Sequence, residues 1–311
     1  MVAVVRYTLA HKDAWDAFVA ASKNGTFLLL RDYMEYHADR FTDHSLLFYR
    51  KGQLLALLPA NEAGQEIHSH GGLTYGGIIS GGRMKTGAML EVFEAMTQYF
   101  RKEGFRKILY KTIPHIYHQF PAEEDVYALF RFGATLFRRD ASSVVALARL
   151  LGYSRKRRWE VKKARESELQ VLASEDYGGF MQLERDLLQT RYNLSPVHTA
   201  AEMALLASRF PQNIKLYIAC AGNEMVGGIL VYETATVAHC QYIGYTVAGR
   251  GMGAVDVLIN HLLTEVYPHK KYFNFGISTE RQGQYLNEGL IRNKESYGAR
   301  TMVHDFYELA L

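Results

Sequence analysis

The second half of this sequence repeats the first half. Phe132-Gly133-Ala134 is matched by Tyr297-Gly298-Ala299, and Asp140 and Asp305 lie at the same spacing. The segments KILYKT and YFNFGI align at that spacing as well, and Gly82-Arg83 aligns with Gly249-Arg250 at a spacing two residues longer. Chance can produce one such match but hardly four in the same order. We therefore predict a tandem duplication of one α/β unit, with mixed sheets and two domains, residues 1–150 and 151–311, packed around a cleft.

The predicted elements of the two halves follow one order. In the first half, helices at 13–21 and 31–40 precede a hairpin with strands 44–49 and 54–59, a glycine-rich passage at 68–83, a helix at 85–102, a strand at 107–112, a short helix at 126–131 and strands across 134–147. In the second half, a hairpin with strands 215–220 and 226–233 precedes a strand, turn and helix at 237–266, a strand at 271–275, a short helix at 290–296 and a strand at 301–309.

Residues 237–266 are the centre of the second half. Residues 237–245 read as a strand whose alternation sends His239, Gln241, Ile243 and Tyr245 to one face. A turn at 248–253 and an amphipathic helix with an apolar face from Val255 to Val266 follow. A glycine turn that opens a helix offers unpaired backbone N–H groups to an anion, and Gly249, Gly251 and Gly253 let a phosphate approach closely beside Arg250. The other interpretation of this pattern is a tight strand-to-helix connection.

Length and composition limit the class of protein. A chain of 311 residues with 48% hydrophobic and 22% charged residues is typical of a globular protein with two domains. The net charge of +4 is too small to indicate DNA binding. We expect a cytoplasmic protein, because the sequence shows neither a signal peptide nor a membrane span. Cys220 and Cys240 lie in apolar strand patterns and are predicted to be buried free thiols, although a disulfide between them is possible.

A strongly basic segment joins the two halves. Residues 154–167, SRKRRWEVKKARES, hold seven basic side chains between Arg155 and Arg165. One interpretation is a solvated linker helix that Trp159 anchors. The other is a basic wall that faces phosphates or a polyanion.

With its repeat and its glycine turn, the chain resembles the GNAT acyltransferase superfamily, and more closely the duplicated-GNAT, FemAB-like group that includes the Fem-type peptidoglycan aminoacyltransferases. Gly251-Met252-Gly253 fits the second half of the GNAT pyrophosphate motif, whereas Ala248 stands where Gln or Arg is usual. The resemblance implies acyl-CoA as co-substrate, with a backbone N–H of a splayed strand as oxyanion donor. It implies that the cofactor-binding residues are Tyr242, Ile243, Gly244, Gly249, Arg250, Gly251, Met252, Gly253 and Ala254.

Acyl transfer to an amine needs a base for the amine proton and donors for the oxyanion. We expect Glu280 to be the base, since it follows a strand end, and His239 is the second candidate. The resemblance places Lys294, ahead of Tyr297-Gly298, in a catalytic cleft, and Tyr285 is a candidate proton donor to the thiolate. The residues expected to line the acceptor site are Arg191, His198, Gln241, Ser278, Tyr75, His115 and Tyr117.

Other chemistries find little support in the sequence. His68 with His70, or His115 with His118, would be an incomplete metal site, so we expect no metal. Residues 77–83 lack the Gly-Lys-Ser/Thr end of a Walker A loop, and no GxSxG motif is present. The expected function is N-acyl transfer from acyl-CoA to an amine of an amino-sugar, cell-wall or polysaccharide precursor by direct attack. Two alternatives remain open, a Fem-type enzyme that uses aminoacyl-tRNA and a catalytically silent binding protein.

Overall fold

The computed structural model describes residues 1–311, except the side chain of Tyr192. The chain divides into two compact units. The first unit comprises Met1–Asp140, Arg281–Tyr285 and Val303–Leu311, and the second comprises Ala141–Glu280 and Leu286–Met302. These units differ from the predicted halves, because the segment Arg281–Tyr285 and most of the last strand belong to the first unit. That the two halves are copies of one domain stays a prediction.

The strands in chain order are β1 (Val2–Arg6), β2 (Thr42–Asp43), β3 (Leu46–Arg50), β4 (Gln53–Leu58), β5 (Asn61–Ala63), β6 (Glu66–His68), β7 (Ile79–Ser80), β8 (Lys107–Lys111), β9 (Thr135–Ala146), β10 (Leu169–Ser174), β11 (Ile214–Ala221), β12 (Glu224–Glu233), β13 (Val237–Tyr245), β14 (Tyr272–Ile277), β15 (Thr279–Glu280), β16 (Tyr285–Leu286) and β17 (Arg300–Ala310). The α-helices are α1 (Lys12–Ala21), α2 (Arg31–Met34), α3 (Thr86–Lys102), α4 (Glu124–Arg131), α5 (Arg155–Arg165), α6 (Tyr177–Tyr192), α7 (Ala200–Arg209), α8 (Val247–Met252), α9 (Ala254–His261) and α10 (Glu288–Glu295).

The first unit is built around α3. This helix buries Met89, Phe93, Met96 and Phe100 in a core that also takes side chains from β3, β4 and β8. Strands β1, β3, β4 and β7 form one sheet, and β17, β8, β6, β5 and β2 follow each other in another, where β6 and β8 run parallel. The long amphipathic helix is thus confirmed, and its period-3.6 apolar face is what buries it.

The second unit is built around α9. Its sheet has the order β10, β11, β12, β13, β14 and the end of β9. Neighbouring strands are antiparallel except β13 and β14, which run parallel. The apolar face of α9 and of the π-helical turn Leu262–Val266 packs on this sheet. Leu258, Ile259 and Leu262 are buried there, as their spacing predicts.

The predicted mixed α/β class is confirmed, and most predicted elements are found within a few residues of their expected ends. Two predictions were wrong. The helix at 31–40 is α only over Arg31–Met34 and continues as a 3-10 helix over Glu35–Arg40. Residues 248–252 belong to the helix α8 rather than to a turn, and Gly253 follows the helix with a φ of +81°. The side-chain oxygen of Thr246 stabilises the start of this helix by accepting a hydrogen bond from the Gly249 N–H.

The helix α5 is present, but Trp159 does not anchor it. Its indole is 63% exposed, whereas Val161 and Ala164 are buried and hold the helix against the unit. Arg157 points inward too and pairs with Asp256. The two cysteines are buried free thiols, as predicted. Among the described residues, no helix is both long and apolar enough to cross a bilayer.

Candidate active site in the second unit

The strand β13 separates from β14 part of the way along its length. The two strands pair only from Val237 with Tyr272 to His239 with Asn274. Beyond His239, β13 continues to Tyr245 while β14 ends at Ile277 after a turn at Gly276, whose φ is +78°. In the described chain, no strand pairs with this edge of β13 after His239. The backbone groups on this edge therefore have no strand partner.

A β-bulge lies at the point where the strands separate. Leu230 on β12 pairs with Tyr242 and Val231 pairs with Cys240, so Gln241 is left out of the ladder. The predicted strict alternation along β13 was therefore wrong. The extra residue turns both Cys240 and Ile243 toward the α9 core, whereas alternation placed them on opposite faces. Bulges re-aim side chains and are frequent beside active sites.

The three glycines after β13 have different physical roles. A Cβ on Gly249 would lie 2.0 Å from the carbonyl oxygen of Val226, so this glycine lets α8 pack on β12. Gly253 has a φ of +81°, and a Cβ there would lie 2.7 Å from that of Ala164. Only Gly251 faces open space. Of these three glycines, only Gly251 has a missing side chain that the close approach of a phosphate would explain.

Protein groups already occupy the first turn of α9. The carboxylate of Asp256 pairs with Arg157 and accepts a hydrogen bond of 2.5 Å from the Tyr297 hydroxyl. Ala254 is fully buried. Negative charge at a helix N-terminus is favourable, and here the protein supplies that charge itself. A ligand anion is therefore better placed beside α8 than in front of α9.

A pocket of about 540 Å³ lies beside α8, between α6 and the end of β13. Its size falls in the range of small-molecule sites. Its lining combines apolar side chains with two arginines, Arg191 and Arg250, and two aspartates, Asp176 and Asp186, and it includes Leu183, Leu187, Tyr245 and Val247. Arg191, predicted to line the acceptor site, lies in the last turn of α6 and donates a hydrogen bond to the Tyr245 hydroxyl at 2.5 Å. The mixture suits a ligand with an apolar arm and anionic groups.

Two polar side chains meet on the face of β13 that α6 covers. The Nδ1 atom of His198 lies 2.7 Å from the hydroxyl of Tyr242. Burial raises the pKa of Tyr242 to about 12, so the hydroxyl keeps its proton at neutral pH. His198 and Tyr242, predicted separately as substrate-binding and cofactor-binding residues, are thus brought together.

The carboxylate of Glu184 on α6 also faces this part of β13, and the sequence analysis missed it. Its side chain is 5% exposed and its Oε2 atom has no hydrogen-bond partner. A Cβ on Gly244 would lie 2.9 Å from that oxygen. Burial raises the pKa of Glu184 to about 7. A signal was available in the sequence, because Glu184 stands at helical spacing from Phe180 and Met181 and interrupts an apolar face, and Gly244 interrupts a strand.

Lys294 lies on the other side of the strand separation, on α10. It is 7% exposed and donates to the carbonyl oxygens of Gly276 at 2.9 Å and Ile277 at 2.7 Å. Burial lowers its pKa from 10.5 to about 8. The side chain thus fixes the chain where it leaves β14. Its role in catalysis stays a prediction.

We expect Lys294→Met to lower the free energy of unfolding at pH 9 by about 1–3 kcal/mol, since the carbonyls of Gly276 and Ile277 lose the donor of a buried side chain. The loss should be smaller at pH 7. Between pH 8 and 10.5 the folded protein has released the Lys294 proton, whereas the unfolded chain still binds it, so the contribution of Lys294 to stability rises with pH in this range. Below pH 8 both states bind the proton, and the folded protein then buries a charge. Urea denaturation at both pH values measures this. Lys162→Met on the exposed face of α5 is the control, and an equal loss there would contradict the assignment.

The other predicted catalytic residues are more exposed. Glu280 is an exposed carboxylate that accepts a hydrogen bond of 2.9 Å from Asn287. His239 is half-buried, and Gly276 lies against its ring. Tyr285 belongs to the first unit, is 49% exposed and lies against Arg281. Ser278 is buried near the end of β14, and its Oγ atom has no partner. The roles of these residues in catalysis or substrate binding stay predictions.

The acceptor residues predicted in the first half lie within the first unit. Tyr75 and Tyr117 are buried with ring centroids 4.6 Å apart, and the Tyr75 hydroxyl lies 2.9 Å from that of Thr26. His115 is exposed. The two tyrosines therefore serve the packing of the unit. Among the described residues, no group of three or more His, Cys, Asp or Glu side chains is arranged to hold a metal ion.

Comparison with known proteins agrees with this geometry. Residues 152–282 match the family described as acetyltransferase (GNAT) domain. The matched segment is a GNAT domain within the chain and supports acyltransferase activity, and a GNAT domain implies an acyl-CoA co-substrate. The predicted resemblance to FemAB-like duplicated GNAT proteins is confirmed. No curated protein matches the sequence.

Solved structures show the same fold over the whole chain. FemX shares 11% identity with a TM-score of 0.72, and the alignment covers 99% of this chain and 97% of FemX. The C-terminal domain of a putative lysylphosphatidylglycerol synthetase from Agrobacterium fabrum shares 12% identity with a TM-score of 0.63, and the alignment covers 97% of this chain and 92% of that domain. A tandem GNAT protein from the clavulanic acid biosynthesis pathway shares 12% identity with a TM-score of 0.52, and the alignment covers 100% of this chain and 98% of that protein. At such identities the likeness is one of fold.

Proposed function

We propose that this protein is an N-acyltransferase that moves an acyl group from acyl-CoA to an amine of an amino-sugar, cell-wall or polysaccharide precursor. The observation that carries the proposal is the free edge of β13. It begins at the bulge at Gln241 and ends beside the pocket next to α8, within the residues that match a GNAT domain. FemX and the synthetase domain share the fold, which supports a cell-envelope acceptor.

The pocket fits the donor in its chemistry. Arg191 and Arg250 provide positive charge for the phosphates of acyl-CoA, and Leu183 and Leu187 provide apolar contact for its arm. Backbone N–H groups on the free edge at Tyr242 to Gly244 would stabilise the oxyanion. The amine nitrogen then attacks the thioester carbonyl carbon directly and gives up one N–H proton to a base. The carbon–sulfur bond breaks, and the CoA thiolate takes up a proton and leaves as a thiol. Tyr242 is placed to donate that proton, and His198 orients its hydroxyl.

Acetyl-CoA at a hundredfold excess over its Kd should stabilise the protein by about 2.7 kcal/mol. We expect a rise in Tm of several degrees, and release of free CoA thiol when glucosamine or a nucleotide-linked amino sugar is added. Arg250→Ala should reduce the shift, because it removes a charge from the pocket wall. Absence of both a shift and thiol release, with acetyl-CoA and longer acyl esters alike, would contradict the proposal and favour a catalytically silent binding protein.

One observation favours the second candidate, an enzyme that takes its acyl group from aminoacyl-tRNA. On α5, Arg155, Arg158, Trp159, Lys162 and Lys163 share one exposed face at helical spacing. Such a face suits a polyanion, and the affinity for tRNA would then fall steeply with salt. The double substitution Arg155→Ala/Arg158→Ala should weaken tRNA binding and leave acetyl-CoA binding unchanged. Salt-independent binding that the substitution does not alter would remove this candidate.

A further inference from the structure

We propose that Glu184 is the general base of this acyltransferase and accepts the proton of the attacking amine. This role rests on the proposed function. It replaces Glu280 as the expected base with a residue from a different helix.

The geometry places the Glu184 carboxylate against the reactive part of β13. The side chain comes from the middle of α6, which packs on β13 and β12. Gly244 and Gly228 lack side chains where α6 approaches. A Cβ on Gly228 would lie 2.6 Å from the Phe180 ring, and one on Gly244 would lie 2.6 Å from Leu183 and 2.9 Å from Glu184 Oε2. The carboxylate therefore occupies the space beside the stretch of backbone that would hold the thioester oxygen.

The environment of this carboxylate differs from that of an ordinary structural acid. It is buried, and Oε2 has no donor. An unpaired polar group in such a place destabilises the fold, so buried groups of this kind are usually satisfied or functional. The titratable groups that face it are Tyr242 on β13 and, beyond it, His198. Burial is the cause of the raised pKa of Glu184, and no ion pair of this carboxylate is found in the described chain.

The protonation behaviour agrees with the geometry. Burial raises the pKa of Glu184 to about 7, which is near the value at which a general base works best at neutral pH. In the step, the nitrogen–carbon bond forms as an N–H proton moves to a Glu184 oxygen. The carbon–sulfur bond then breaks, and the thiolate takes a proton from Tyr242 or from protonated Glu184. Products are an amide and CoA thiol, with no oxidant or metal needed.

The test compares the wild type, Glu184→Gln, Glu184→Ala and the exposed control Glu168→Gln. Each is assayed for acetyl-CoA binding by thermal shift and for kcat/KM with an active amine between pH 5.5 and 9. We expect both Glu184 variants to bind acetyl-CoA as the wild type does and to lose about 10²–10⁴-fold in kcat/KM. The fall in wild-type rate below pH 7 should be absent from Glu184→Gln. Added formate should partly restore Glu184→Ala, which a structural role would not explain.

The outcomes separate the two proposals. An active wild type with an equally active Glu184→Gln would overturn the role of Glu184 and leave the proposed function standing. Loss of activity in the Glu184 variants without formate rescue and with an unchanged pH profile would also overturn this role, because it would show that Glu184 acts through packing. A wild type that neither binds acetyl-CoA nor acylates an amine would overturn the proposed function, and this role with it.

Discussion

Gly249→Ala is expected to destabilise the protein by about 3 kcal/mol, while Gly251→Ala, two residues later on the same helix, is expected to be harmless. The methyl group at position 249 would lie 2.0 Å from the Val226 carbonyl oxygen, and backbone on both sides must move to admit it. At position 251 nothing lies within 4 Å of the new methyl group. Alanine is also the better helix former by up to about 1 kcal/mol. Urea denaturation of the full chain, followed by circular dichroism, measures both.

The same pair of variants tests the anion site. If the donor phosphates approach the backbone of α8 at Gly251, then Gly251→Ala should weaken acetyl-CoA binding by tenfold or more in a fully folded protein. Equal stability of the two variants would show that α8 does not pack on β12 as described. Unchanged affinity of Gly251→Ala would place the phosphates elsewhere.

Glu184→Gln is expected to be more stable than the wild type at pH 8 by about 2–3 kcal/mol, and no more stable at pH 4.5. The folded pKa of about 7 lies above the ordinary value of 4.5, so between these values the folded protein holds a proton that the unfolded chain has released. Stability from this group therefore falls as the pH rises from 4.5 through 7. Glutamine remains neutral and avoids the burial of a charge.

Denaturation midpoints of the wild type and Glu184→Gln, measured from pH 4.5 to 8.5, follow this difference directly. The control Glu168→Gln should show no pH-dependent gain, since its side chain is exposed. A constant difference across the range would mean that Glu184 titrates at its ordinary value. If Glu184→Gln is more stable than the wild type at pH 8 and also loses turnover, then the Glu184 carboxylate serves function and lowers the stability of the fold.

Local patterns predicted the elements well. The spacing of Leu258, Ile259 and Leu262 predicts the buried face of α9, and Lys51-Gly52 predicts a hairpin whose two turn residues both have positive φ. Such features depend on neighbours in sequence. The prediction at 248–253 failed because glycines alone indicate a turn, whereas the Thr246 cap and close packing on Val226 stabilise a helix there.

The candidate site was harder to predict, because its parts come from distant segments. Glu184 and Gly244 meet only because α6 packs on β13. Position after a strand favoured Glu280, whereas the burial that distinguishes Glu184 from it results from the packing of α6 on the sheet. The bulge at Gln241 likewise depends on pairing with β12 and has no local sequence signal.

Hydrogen–deuterium exchange with and without acetyl-CoA tests the central claim, that the free edge of β13 and the helix α8 hold the acyl donor. We expect amides from Tyr242 to Gly253 to exchange more slowly when acetyl-CoA is present, with no comparable change in the first unit. Binding that protects only other segments, and leaves these amides exchanging as before, would contradict the account.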